Sequence, residues 1–167
     1  MSYPRYSFQH SILYIDQPER YVAMVASGLL NFPVHFEFCS NDINEALARM
    51  KSGTHDLIIS ALDLQGGSVL DFIGKIKEKL AQIPAIYISE PHLLDVQKKL
   101  LKTGGVFDIL QRAKLPDELF QKMDQAVRVT CAFKRTRAEA FIELHEASIK
   151  KGVPVVELLD PDDDSLH

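Results

Sequence analysis

Polar side chains follow three apolar runs of the sequence, at the points where strands are expected to end. Asp16 follows SILYI, Ser89 ends AIYIS, and Arg112 comes just after VFDIL. Because ligands bind where parallel strands end, we expect these three groups to converge at one edge of a sheet. Together they could hold an anion or a metal ion, but the favoured prediction is an ion pair between Asp16 and Arg112.

A fourth apolar run, LIISA, ends at Ala61, whose methyl group can neither react nor bind an ion. Asp63 lies two residues further along and is the nearest group that could take over a missing reactive role. Loops often carry aspartate because its side chain supports turn geometry. We therefore predict that Asp63 is a surface residue whose side chain points into solvent.

Apolar runs alternate with helical patterns along the chain, and each occurs five times. This order predicts an α/β fold built from βαβ units, with a parallel sheet and helices on both of its faces. The predicted strands are 11–15, 34–39, 57–61, 85–89 and 106–110, and the predicted helices are 19–30, about 42–51, 69–80, 93–102 and 116 onward.

The composition is that of one ordinary globular domain with a small appendage. The chain has 167 residues, 46% of them hydrophobic, which is enough for a full core. Its net charge of −4 argues against nucleic-acid binding, which usually needs a basic face. The longest apolar-rich stretch, 21–32, is too short to span a bilayer, and the N-terminus lacks a signal pattern. We therefore expect a soluble, cytoplasmic protein that binds neither nucleic acid nor membrane.

The cysteines and histidines show no catalytic or metal-binding spacing. Cys39 and Cys131 lie far apart without a CxxC pattern, which predicts reduced, buried thiols. The six histidines form no HExxH or paired Cys/His pattern, so we expect them at the surface or at strand edges.

Four segments divide the chain: an N-terminal arm (1–10), a domain (11–130), a helical extension (131–152) and a tail (153–167) with an acidic, disordered end. The helical pattern beginning at Pro116 continues to about residue 151. It either extends as a dimerising coiled coil or breaks near Cys131 and packs back. The apolar stretch VPVVELL could dock on the domain, dock on a partner, or lead into a further domain.

Four phrases of the sequence, in this order and at these intervals, resemble the response-regulator receiver domains of bacterial two-component signalling. They are ILYIDQ, HDLIISALDLQGGSVLDFI, IPAIYIS and GGVFDILQRAKLPDEL. The resemblance covers residues 11 to about 130. It implies a flavodoxin-like (CheY-like), doubly wound, five-stranded parallel sheet with strand order 2-1-3-4-5.

The resemblance also identifies the receiver groups that this chain lacks. The phosphoacceptor position falls on Ala61, and the acidic pair that holds Mg²⁺ is reduced to Asp16 followed by Gln17. Ser89 keeps the hydroxyl position, whereas the lysine position falls on Arg112, which is planar and hydrogen-bonds differently. The resemblance therefore implies no catalytic residue, no metal and no cofactor. The vestigial phosphorylation pocket would consist of Asp16, Gln17, Ala61, Asp63, Ser89 and Arg112.

These observations predict a non-enzymatic, phosphorylation-independent pseudo-receiver that regulates signalling proteins by direct contact. Two alternatives stay open: a receiver phosphorylated on Asp63, and a small-molecule sensor at the vacated pocket. By resemblance, partners would bind the face made by the fourth helix, fifth strand and fifth helix. That face or the C-terminal helix could also form a homodimer. The candidate contact residues are Lys98, Lys102, Phe107, Ile109 and Gln121.

Overall fold

Five parallel strands form one sheet in the computed structural model, which describes residues 10–32, 34–76, 83–103, 106–132 and 138–159. The strands are β1 (Ser11–Ile15), β2 (His35–Cys39), β3 (Leu57–Ala61), β4 (Ala85–Ser89) and β5 (Asp108–Gln111). Their order across the sheet is β2-β1-β3-β4-β5. This is the predicted doubly wound, flavodoxin-like order.

Within the described residues, six helices follow the strands or extend the C-terminal part of the chain. They are α1 (Pro18–Ala26), α2 (Ile43–Ser52), α3 (Val69–Lys75), α4 (Leu94–Thr103), α5 (Asp117–Ala132) and α6 (Ala138–Lys151). Short 3₁₀ turns occur at Leu29–Asn31, Pro91–Leu93, Arg112–Lys114 and Val155–Leu158. Among these described residues, no helix is both long enough and apolar enough to cross a membrane.

Two hydrophobic layers lie on opposite faces of the sheet, because successive side chains of a strand point to opposite sides. Tyr14 packs on the face covered by α1 and α5, together with Met24 and Leu119. Leu13 packs on the other face with Phe72 of α3 and Leu100 of α4. The central strands β3 and β4 are buried along their whole length because both faces are covered.

Local sequence sets where the helices begin and end. The Asp42 carboxylate caps α2 by accepting hydrogen bonds from the backbone N–H groups of Asn44 at 2.9 Å and Glu45 at 3.0 Å. The predicted helix 19–30 is too long, since α1 ends at Ala26. Gly28 follows with φ of 107°, a left-handed conformation that ends the helix and begins the next turn.

The C-terminal segment (residues 138–159) packs back onto the domain. Helix α6 lies against α4, and the 3₁₀ turn after α6 places Val155 in the core. The packing back that the second alternative predicts is therefore confirmed for residues 138–159, and VPVVELL docks on the domain, whereas residues 133–137 lie outside the described part of the chain. Residues 1–9 of the predicted N-terminal arm (1–10) and the acidic end (160–167) fall outside the described residues.

Buried histidines depart from the prediction. His55 and His145 are buried, whereas His35 and His92 are exposed as expected. Cys39 is a buried free thiol, as predicted, and the side chain of Cys131 is not among those described.

Candidate functional site

The strand register brings the ends of β1, β3, β4 and β5 to one edge of the sheet. Ile15 of β1 is paired with Ser60 of β3, so the next residues along the two strands, Asp16 and Ala61, lie side by side. Ser89 of β4 is paired with Gln111, the last residue of β5. The residues that the sequence places at this edge are Asp16, Ala61, Ser89 and Arg112.

Asp16 and Arg112 form a bidentate ion pair. Nη1 of Arg112 donates to Oδ2 of Asp16 at 2.8 Å, and Nη2 donates to Oδ1 at 3.2 Å. The backbone N–H of Gln17 donates to the same Oδ1 at 2.8 Å. Because Asp16 is fully buried, its charge needs a paired cation and several hydrogen bonds. The ion pair predicted from the sequence is present.

Three more charged residues extend this pair into a charged cluster, consisting of Asp16, Arg20, Asp63, Glu90 and Arg112. Nε of Arg112 donates to Oε1 of Glu90 at 2.9 Å, and Nη1 of Arg20 donates to Oδ2 of Asp63 at 2.9 Å. Arg20 also lies 3.7 Å from Oδ1 of Asp16 and 3.6 Å from Oε1 of Glu90. Each guanidinium group therefore faces more than one carboxylate, and the positive and negative groups alternate.

The sequence analysis does not single out Arg20 or Glu90. Arg20 lies four residues after Asp16, which is one helical turn, and Glu90 directly follows Ser89. Spacing of i to i+4 between opposite charges is the signal that could have identified Arg20. It is a weak signal, because most charged residues on helices are solvated and have no fixed partner.

Asp63 does not point into solvent, so the prediction for this side chain is wrong. The side chain is 29% exposed, and its Oδ2 accepts the hydrogen bond from Arg20. Its Oδ1 is buried and has no hydrogen-bond partner within the part of the chain that the structure describes. Nδ2 of Asn41 holds the loop by donating to the backbone carbonyl of Asp63 at 3.1 Å. The attraction of Arg20 thus turns a loop aspartate toward the cluster.

Ser89 and Ala61 are fully buried next to the cluster but form no charge pair. The Ser89 hydroxyl donates to the backbone carbonyl of Glu90 at 3.2 Å and accepts a hydrogen bond from Nε2 of Gln97 in α4. This hydroxyl therefore connects the end of β4 to α4. Gln97, like Arg20, is a contact that the sequence analysis misses.

Burial and ion pairing shift the pKa of Arg112 in opposite directions. Desolvation alone would lower the pKa of the guanidinium, but the hydrogen bonds and charges of Asp16 and Glu90 outweigh it and raise the pKa. Tyr14 is also buried, and desolvation together with the charge of Asp16 raises the pKa of its phenol. Near neutral pH, Arg112 is therefore a cation and Tyr14 is neutral.

The sequence matches no protein-family model and no curated protein. Solved structures do match. A signal receiver domain of an HD domain-containing protein from Pseudomonas fluorescens Pf-5 has a TM-score of 0.65 at 22% identity, over 74% of this chain and 98% of that one. A response regulator receiver domain protein from Clostridium thermocellum has a TM-score of 0.61 at 19% identity, over 71% and 94%. The chemotaxis response regulator CheY4 of Vibrio cholerae has a TM-score of 0.59 at 19% identity, over 70% and 98%.

The chain has the receiver-domain fold. At these identities the likeness concerns the fold alone, and any function must be argued from the site. The receiver fold places the ends of β1, β3 and β5 together, which is where this chain carries Asp16, Ala61 and Arg112.

The Mg²⁺ ion implied by the receiver fold does not fit the residues at this edge. Gln17 supplies a neutral amide where a second carboxylate is expected. Both oxygens of Asp16 already accept hydrogen bonds, and the adjacent guanidinium of Arg112 would repel a divalent cation. Among the described residues, no group of three or more His, Cys, Asp or Glu is arranged to hold a metal ion.

The receiver face predicted to bind partners is partly covered by the C-terminal segment. Phe107 is fully buried, so its assignment as a surface contact residue is wrong. Its backbone carbonyl accepts a hydrogen bond from the backbone N–H of Val156 at 2.9 Å. Ile109 is half-buried. The exposed members of the predicted contact set are Lys98, Lys102 and Gln121.

Proposed function

We propose that this chain is a receiver-fold signalling module that works without aspartyl phosphorylation and acts in the cytoplasm by contact with other signalling proteins. The observation that supports the proposal is the bidentate pairing of Arg112 with Asp16 beside the methyl group of Ala61. In this arrangement the carboxylate that would hold Mg²⁺ and the cation that would bind the phosphoryl oxygens are paired with each other.

Phosphoryl transfer to the third strand needs a carboxylate nucleophile, and the methyl group of Ala61 cannot accept a phosphoryl group. A cation near the attacked group must also be free to bind the phosphoryl oxygens. Arg112 is the cation that directly follows β5, and its Nε and both Nη atoms already donate to Glu90 and Asp16. Freeing Arg112 would leave Asp16 buried without its partner, at a cost of about 3–5 kcal/mol.

We propose further that the module needs no Mg²⁺. Arg112 and Arg20 supply positive charge to the three carboxylates of the charged cluster, which is the electrostatic task that a divalent cation performs in a carboxylate site. The guanidinium groups are covalently part of the chain. The cluster therefore keeps two positive charges beside its three carboxylates whatever the metal concentration.

Phosphorylation of Asp63 is the second candidate function, and one observation favours it. Oδ1 of Asp63 has no hydrogen-bond partner among the described residues, so this oxygen is available for bonding. Two observations weigh against it: Oδ1 is buried away from an incoming phosphodonor, and Oδ2 is bound to Arg20. A carboxylate that is hydrogen-bonded to a cation is a weaker nucleophile, because the cation stabilises its negative charge before it reacts.

Intact-mass spectrometry after incubation with acetyl phosphate and Mg²⁺ tests the proposal. We expect no added phosphoryl group on the wild-type chain. Asp63→Asn is the matched variant, since it keeps the shape of the side chain but removes the carboxylate. A stoichiometric adduct that Asp63→Asn abolishes would replace the proposal with the second candidate. An adduct that survives this substitution would contradict both.

A further inference from the structure

The charged cluster connects three of the loops that follow the strands. Arg112 donates hydrogen bonds to Asp16 and to Glu90. These residues directly follow β5, β1 and β4, so each contact joins two separate loops. The ends of these three strands are therefore connected by side chains as well as by the sheet.

The loops after β2 and β3 form a second connected set. The N–H of Gln65 donates to the carbonyl of Asn41 at 2.8 Å, and the N–H of Ile43 donates to the carbonyl of Gln65 at 2.8 Å. Nδ2 of Asn41 also donates to the backbone carbonyl of Asp63 at 3.1 Å. The loop after β3 therefore cannot shift without disturbing the loop after β2, and its Asp63 also belongs to the charged cluster.

Arg20, in the first turn of α1, joins the two sets. Its Nη1 donates to Oδ2 of Asp63 at 2.9 Å, and its guanidinium also lies 3.7 Å from Asp16 and 3.6 Å from Glu90. The Arg20 side chain is 31% exposed, so each of these contacts taken singly is weak. Together they are stronger, because the side chain loses its conformational freedom once for all three carboxylates. Without Arg20, the carboxylate of Asp63 would face the other two without the cation that separates them.

We propose that Arg20 is a positioning residue that makes the five loops at the carboxyl edge of the sheet open as one cooperative unit. The arrangement of these loops is then fixed in the resting chain, with no bound ligand. This inference deepens the proposed function and rests on it in one respect, because a module that receives no phosphoryl group must order these loops by itself. Loss of Arg20 should uncouple the loops after β2 and β3 from those after β1, β4 and β5.

Hydrogen exchange followed by NMR tests the proposal at two amides whose hydrogen bonds do not include Arg20. The N–H of Leu93 donates to the carbonyl of Glu90 at 3.0 Å and reports on the loop after β4, whereas the N–H of Ile43 reports on the loops after β2 and β3. In Arg20→Gln we expect both amides to exchange at least about five-fold faster than in the wild type. The amides of β3 report on global unfolding and should change by a smaller factor. Acceleration at only one of the two amides, at neither, or by no more than in β3 would overturn the proposal.

Arg128→Gln is the matched control. Arg128 pairs with Asp124 at 3.0 Å and its side chain is 35% exposed, close to the values for Arg20, but both partners lie on α5. We therefore expect the exchange of Leu93 and Ile43 to be unchanged in this variant. An acceleration equal to that of Arg20→Gln would show that any lost ion pair has the same effect, and would overturn the proposal.

Salt gives a second measurement on the wild-type chain. Raising NaCl from about 0.1 M to about 1 M shortens the screening length from about 10 Å to about 3 Å, which weakens partly exposed ion pairs. We expect Leu93 and Ile43 to exchange faster together, relative to the amides of β3. Independent responses of the two amides would overturn the proposal. Neither measurement involves phosphate, so a phosphoryl adduct would contradict the proposed function alone, and independent loops would contradict this inference alone.

Discussion

Arg112, just beyond the last strand, is joined to Asp16, just beyond the first, by two hydrogen bonds of 2.8 and 3.2 Å. The carboxylate is fully buried, and the guanidinium also donates to Glu90. A bidentate contact of this kind fixes the relative orientation of two planar groups as well as their distance. At the carboxyl edge of this receiver fold, an ion pair therefore joins the end of β1 to the end of β5.

Arg112→Gln should destabilise the chain strongly, because it leaves the buried Asp16 carboxylate without its cation. We expect the free energy of unfolding, measured by urea denaturation, to fall by about 3–5 kcal/mol. Lys114→Gln is the control, since the Lys114 side chain is 65% exposed and should contribute within about 0.5 kcal/mol. The double variant Asp16→Asn/Arg112→Gln should recover part of the loss, because the uncompensated charge is gone. Equal losses for Arg112→Gln and the control would contradict this account of the ion pair.

Magnesium should leave the thermal stability of the chain unchanged. A ligand that binds only the folded state raises the melting temperature in proportion to the logarithm of its concentration. Because Arg112 and Gln17 already occupy the oxygens of Asp16, we expect no such rise. Melting curves with MgCl₂ and with NaCl at matched ionic strength make the comparison. A saturable increase with MgCl₂ alone would show that a metal site exists.

Acidification should weaken the fold through His145. Burial lowers the pKa of its imidazole to about 4, below the value of about 6.5 for the unfolded chain. The unfolded state therefore binds the proton first, and the contribution of neutral His145 is present above about pH 6.5 and lost as the pH falls toward 4. Between pH 7 and pH 5 we expect this group to lower the free energy of unfolding by about 2 kcal/mol.

Urea denaturation at the two pH values separates His145 from the other titrating groups. His145→Gln should flatten the pH dependence, whereas His92→Gln should not, because His92 is exposed. A pH profile unchanged by His145→Gln would rule out this histidine as the source.

Cys39 should be unreactive in the native chain. Desolvation raises the pKa of its thiol to about 12, with a smaller contribution from the charge of Glu45, so almost no thiolate is present at pH 8. In a Cys131→Ser background, we expect a disulfide reagent such as DTNB to modify Cys39 only after urea is added. Native-state modification at the rate of an unfolded control peptide would contradict the burial of this thiol.

The sheet and the Asp16–Arg112 pair could be predicted from the sequence because both depend on regular patterns. Apolar runs of five residues indicate strands, and parallel strands that end at one edge of a sheet bring together the residues that follow them. Arg20 and Gln97 could not be identified in this way, since each is an ordinary polar residue on a helix whose partner depends on tertiary geometry. Phe107 was misplaced for the same reason: the residues that cover it, including Val155, lie about fifty positions further along the chain.

The ion pair between Asp16 and Arg112 joins residues 96 positions apart in sequence. A contact between residues so far apart must first meet a large loop-closure entropy, so we expect it to be absent from the transition state of folding. Arg112→Gln should then accelerate unfolding while leaving the folding rate nearly unchanged, which a chevron plot would reveal. In kinetic terms, the pair is then expected to slow unfolding, and so to lengthen the lifetime of the native state, without changing the rate at which that state forms.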